Sequence, residues 1–171
     1  MIRESKGSGK TLRGCIGTFD KSQNLSQVLG EYALLAALDD DRFDPISLDE
    51  VPKLSVTVSL LINFADKPLK DPLQWQVGKH GVDMDLLHKG KRYQSTFLPE
   101  VAEEEGWDQR MTLLELLLKD DFPVDELQDG KDFDKVIQKM KITTYESVKC
   151  ELSYEEYLIR VKKPSVRSRS R

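Results

Sequence analysis

The chain predicts an α+β fold with a largely antiparallel sheet and flanking helices. Three observations carry this. Leu54, Val56, Val58, Leu60 and Ile62 alternate with mostly polar neighbours, the period of a half-buried strand. Two further alternating runs flank His88-Lys89-Gly90-Lys91, the pattern of a hairpin. Apolar residues recur at helical spacing on both sides of these strands, with no regular β-α alternation.

The elements follow in order. Residues 1–10 are rich in Gly, Ser and Lys and read as a flexible leader before a domain over 11–162. Residues 12–19, Leu-Arg-Gly-Cys-Ile-Gly-Thr-Phe, place two glycines around Cys15 and Ile16. Glycine at such spacing weakens a strand, so the run predicts a tight turn or a backbone that something approaches closely. Leu25, Val28, Leu29, Tyr32, Leu35 and Ala36 predict an amphipathic helix over 26–38. Asp39-Asp40-Asp41 opposes the dipole at its C-terminus and belongs in the next loop. A strand over 54–63, a Pro-rich linker over 67–72 and the hairpin over 82–97 come next. Pro99 opens a short helix, Gly106 stops it, and Asp108 caps another carrying Met111, Leu114, Leu117 and Leu118. A strand over 139–152 leads to Ser153, whose capping box with Glu156 opens a last helix. Residues 163–171 read as a basic, disordered tail.

A chain of 171 residues suffices for one domain with a core. Charged residues make up 33% and hydrophobic residues 39%, which favours a folded, soluble chain over a disordered one. No apolar stretch is long enough to span a bilayer, and the first residues have no signal-peptide pattern. The expected location is therefore intracellular, cytoplasmic and/or nuclear, with Cys15 and Cys150 as reduced thiols and the sequon at Asn24 unused. Net charge is −4, yet residues 160–171 hold six basic residues and no acid. The body is thus acidic, which argues against a broad nucleic-acid face and leaves only the tail for that role. The tail's serines would also let phosphorylation reverse its charge.

The chemistry-bearing residues are few. Cys15 is the candidate nucleophile, because a thiol beside a cation is activated. Arg13 is that cation, two residues away and on the same side of an extended backbone. Only His80 and His88 could serve as a base, and His80, in Gly78-Lys79-His80-Gly81, is the better placed. The competing reading makes Cys15 a small packed residue. No paired metal-ligand spacing occurs, so no metal and no cofactor is predicted. Gly7-Ser8-Gly9-Lys10-Thr11 matches half of a phosphate loop, but Glu4 stands where the first glycine is needed. Trp107, between two helices, is a core anchor or part of a binding wall.

The run Leu12–Thr18 resembles the signature of the AMMECR-type domain family, named for the Alport syndrome, mental retardation, midface hypoplasia and elliptocytosis chromosomal region. Arg42-Phe43-Asp44-Pro45, Val77–Gly81, Leu98–Ala102, Gly106-Trp107-Asp108 and Tyr154–Leu158 resemble further family blocks in the same order. The resemblance covers roughly residues 10–160. It implies an α+β fold with an antiparallel sheet in a larger subdomain and a smaller subdomain beside it. It implies no defined reaction: family members are regarded as enzymes or nucleic-acid-related factors, with dioxygenase-like and radical-SAM associates in prokaryotes. One departure is expected to matter. The family continues upstream with a helix and an apolar strand that Met1–Lys10 does not supply, so the chain reads as N-terminally shortened.

The sequence therefore predicts an AMMECR-type domain of unassigned activity. Its ligand or partner site comprises Arg13, Gly14, Ile16, Gly17 and Thr18, joined by Trp107. The alternative is a cysteine-dependent enzyme using Cys15 and His80. The partner is expected to be a protein or a small molecule, not a membrane.

Overall fold

In the computed structural model, which describes residues 1–6, 9–20, 22–127 and 129–162, the chain begins in a strand. β1 (Ile2–Lys6) pairs antiparallel with β2 (Gly9–Gly14) and with β3 (Leu54–Ile62). Residues 2–6 of the expected flexible leader thus belong to a sheet. Composition misled here because the same short segment holds alternate residues, Ile2 and Glu4, that the sheet buries. The basic tail and Gly7-Ser8 lie outside the described residues.

Among the described residues, six strands are ordered β2-β1-β3-β6-β4-β5, where β4 is Gly81–His88, β5 is Lys91–Phe97 and β6 is Lys141–Ser153. With five helices they make an α+β fold. The chain divides into two compact units, Met1–Val58 with Lys149–Arg171, and Ser59–Val148.

The second unit holds the main core. β4 (Gly81–His88) pairs antiparallel with β5 (Lys91–Phe97) and with β6 (Lys141–Ser153). The alternation at Val82, Met84 and Leu86 turns these side chains inward, and all three are buried. They meet Leu113, Leu116 and Leu117 of α3 (Gln109–Lys119) and Ile142 of β6. Each fully buried side chain of this kind contributes about 1.5–3 kcal/mol. α2 (Pro99–Glu104) starts at Pro99 and stops before Gly106, whose φ is +69°. Asp108 caps α3 by accepting from the Met111 amide at 2.8 Å. α3 also shields the outer edge of the sheet: Asp120 accepts from the Gln94 amide and Lys119 donates to the Thr96 carbonyl. α4 (Gly130–Ile137), which the sequence reading passed over, is capped by Asp129 through the amides of Lys131 and Asp132.

The first unit is thinner. α1 (Leu25–Leu38) starts at Asn24, whose side chain accepts from the Ser26 amide, so the sequon asparagine is a helix cap. Only Ala36 of α1 is buried, against the expectation of an amphipathic helix with one covered face. α5 (Tyr154–Lys162) opens with the expected capping box: Ser153 Oγ accepts from the Glu156 amide, and Glu156 accepts from the Ser153 amide. Among the described residues, no helix is long and apolar enough to cross a membrane.

Candidate functional site

The signature begins with a break in the ladder. Ile2 pairs with Gly14 and Arg3 with Leu12, so Arg13 is the extra residue of a β-bulge. A bulge turns its side chain away from the regular alternation. The expectation that Arg13 and Cys15 share one side of an extended backbone therefore fails: the strand bulges at Arg13 and ends at Gly14.

Arg13 is aimed at Glu50. Its Nε and Nη2 donate to the two carboxylate oxygens at 2.8 and 3.2 Å, and Nη1 donates to the Asp44 carbonyl at 3.1 Å. Glu50 also accepts from the amide and hydroxyl of Ser47, both at 2.9 Å. Arg13, then the two Ser47 donors, hold the Glu50 carboxyl down at about 2. A guanidinium so engaged is a fastening, not an anion receptor for substrate.

Gly14 is buried against α1. A Cβ built there would lie 1.7 Å from the Ala36 carbonyl oxygen, so only glycine lets strand and helix approach this closely. Gly17 is different: a Cβ there would meet nothing within 4 Å. The open space in front of Gly17 is surface.

Cys15 is held by its backbone. Its amide donates to Asp40 Oδ2 at 2.8 Å, and its carbonyl accepts from Arg42 Nη2 at 3.1 Å. Arg42 also grips Asp40 through Nε at 2.8 Å and Nη2 at 2.7 Å. The Asp40 side chain is only 3% exposed. Arg42 first, then the Cys15 amide, hold its carboxyl well below the usual carboxylate range. Ile16 and Thr18 are half-buried, Phe19 is exposed, and Thr18 Oγ1 accepts from the Asp20 amide at 3.0 Å. Arg13, Gly14, Cys15, Ile16, Gly17 and Thr18 thus form one continuous segment of the first unit, the end of β2 and the loop after it, fastened at Arg13 and Cys15.

His80 and Trp107 lie in the second unit. His80 Nδ1 accepts from the Gln76 amide at 2.9 Å, closing a tight turn. Neutral His80 then carries its proton on Nε2, which faces Glu146 Oε1 at 3.9 Å. In this arrangement Nδ1 spends its lone pair on the Gln76 amide and Nε2 carries the proton. Gly81, next to it, is buried beneath the Tyr145 ring, where a Cβ would come within 2.3 Å. His88 pairs with Glu126 at 3.0 Å and packs edge-on against Phe122. Trp107 is half-buried against Phe97, with ring centroids 5.6 Å apart, as a core anchor would be. No group of three or more His, Cys, Asp or Glu side chains suited to a metal ion occurs among the described residues.

Three residues of the site were not foreseen: Asp40, Arg42 and Glu50. A signal for Asp40 existed. Three consecutive acids after an apolar helix leave room for one to turn inward, provided a cation follows, and Arg42 does.

The sequence model of the AMMECR1 family matches residues 2–150. An uncharacterized protein of Schizosaccharomyces pombe is 41% identical over 155 residues, covering 90% of this chain and 73% of the relative. One from Arabidopsis thaliana is 35% identical, covering 91% and 70%. The crystal structure of uncharacterized protein PH0010 from Pyrococcus horikoshii superposes with a TM-score of 0.62 at 26% identity, over 88% of this chain and 70% of that one.

Proposed function

Because this chain belongs to the AMMECR1 family, with its signature inside the matched region, we propose that the signature loop is a preformed docking surface for a protein partner. The observation that carries this reading is where the loop's polar groups point. Arg13 is spent on Glu50 and the Asp44 carbonyl, and both backbone groups of Cys15 are spent on Asp40 and Arg42. What remains outward is the open face at Gly17, with half-covered Ile16 and Thr18 on either side of it. A fixed loop with little polar reach suits recognition, because binding then costs little ordering entropy. Trp107 supports the core of its own unit in this reading. The setting is intracellular, cytoplasmic and/or nuclear, in keeping with two cysteines that are both free thiols.

No observation favours a cysteine enzyme. Arg13 is consumed by Glu50, and His80 spends its lone pair within its own turn.

A photo-crosslinking residue at position 17 tests the proposal. Adducts formed in cells should be the same with Cys15→Ser, since the thiol is not used. They should be lost with Asp40→Ala, which removes the acceptor of the Cys15 amide. Loss with Cys15→Ser and retention with Asp40→Ala would overturn the reading.

A further inference from the structure

Ser47 is exposed and lies in residues 44–47, a segment with neither helix nor strand. Leu48 beside it is 91% exposed, so the chain stands clear of the fold here. Asp49 and Glu50 follow at the second and third positions after the serine. The Ser47 hydroxyl donates to Glu50 Oε2 at 2.9 Å, and Arg13 Nη2 donates to the same oxygen at 3.2 Å. An accessible hydroxyl and the guanidinium of the signature thus share one acceptor atom.

We propose that Ser47 is a phosphorylation site, and that its phosphate takes Arg13 from Glu50. Kinases select targets by the charge pattern around the acceptor, and an exposed serine followed by two acids suits a kinase with a basic substrate cleft. Ser153 has acids at the same two spacings, but it ends β6 and caps α5, so its backbone is not open to a cleft. The transfer breaks the bond from the γ-phosphorus of a nucleoside triphosphate to its bridging oxygen. It forms the bond from Ser47 Oγ to phosphorus and releases the nucleoside diphosphate and the hydroxyl proton. Charge then decides the outcome. Phosphoserine brings about −1.5 to −2 charge and three acceptor oxygens. Two carboxylates face it: Glu50, and Asp49, which the Ser47 side chain holds below the usual carboxylate range. Glu50 is repelled. The Arg13 fork binds phosphate in the same bidentate way as carboxylate, so it keeps a partner in the same place, while Lys53 remains the cation beside Asp49. The signature is then fastened through Ser47 instead of Glu50, whether or not its loop docks a partner.

Treatment of the full chain with magnesium ATP and a purified serine kinase that reads acids after its target tests this. Tandem mass spectrometry should find phosphate on Ser47 and none on Ser153, and Ser47→Ala should lose that uptake. In the phosphorylated chain the phosphorus resonance should titrate below the ~6 of free phosphoserine, and Arg13→Gln should return it to that value or above. If Arg13→Gln misfolds, Glu50 of the wild type decides. At about pH 3.5, between its held value of about 2 and its ordinary 4.5, its carboxyl carbon should report an ionised group before phosphorylation and a largely protonated one after. Absence of phosphate from Ser47, a phosphorus midpoint at or above ~6 with Arg13 present, or a Glu50 still ionised at that pH in the phosphorylated chain would each overturn the proposal.

Discussion

Replacing Gly14 by alanine puts a methyl group into the Ala36 carbonyl, and backbone cannot yield as a side-chain tip can. Gly14→Ala is therefore expected to cost about 2–3 kcal/mol, at the upper end for overpacking. Gly17→Ala, facing open space, should stay within about 0.5 kcal/mol of wild type. The urea midpoint at constant m-value distinguishes the two; equal shifts would contradict the assignment of one glycine to packing and the other to surface. Glu50 supplies a pH signature. Its folded-state pKa, about 2, lies below its ordinary 4.5. Its contribution is therefore complete above about pH 4.5 and is lost as pH falls through about 2. Glu50→Gln should lower stability at neutral pH and flatten that acid limb, as read from melting temperatures between pH 2 and 6. An unchanged acid limb would mean that Arg13 does not hold Glu50 in solution. The sequence made Gly14 and Cys15 conspicuous but hid their partners. Asp40, Arg42 and Glu50 lie 25 to 37 residues from the groups they hold, and no local spacing encodes that distance.

Local chemistry determined what was legible among the elements. The capping box at Ser153, the cap at Asp108 and the proline at the start of α2 each act within four residues, and each is present. Asp108→Ala should cost about 1 kcal/mol, seen as a lower urea midpoint; no loss would show that α3 is held by packing alone. β4, β5 and β6 were legible because one face is buried and alternation follows. β1 was not, since a five-residue strand carries too little pattern. α4 was missed although Phe133, Val136 and Ile137 have helical spacing and Asp129 precedes them. α1 was recognised as a helix, but its covered face was misjudged. An apolar residue at the right period shows only that a face wants burial, not that it is buried.

Across the whole molecule, the buried apolar residues are unevenly shared. Met84, Leu86, Leu113, Leu116, Leu117 and Ile142 are all at 0% exposure in the second unit. Among the described residues of the first, the buried apolar side chains are Ile2 and Ala36. Local opening tracks buried contact, so amides of β4, α3 and the first half of β6 should exchange slowest. Those of α1 should exchange much faster in dilute solution. Uniform protection across both units would contradict this. The family resemblance foresaw the fold class and order of blocks, which are properties of the whole sequence. It did not foresee that the Arg13 guanidinium and the Cys15 backbone are taken up by Glu50, Asp40 and Arg42, because a motif records residue types and not their partners.

Alkylation of the two thiols by iodoacetamide at pH 7 tests the central claim most directly. If the signature is a fastened surface and not a catalytic centre, half-buried Cys15 should label no faster than exposed Cys150. Faster labelling of Cys15, abolished by His80→Gln, would contradict the account and restore the cysteine as a reactive group.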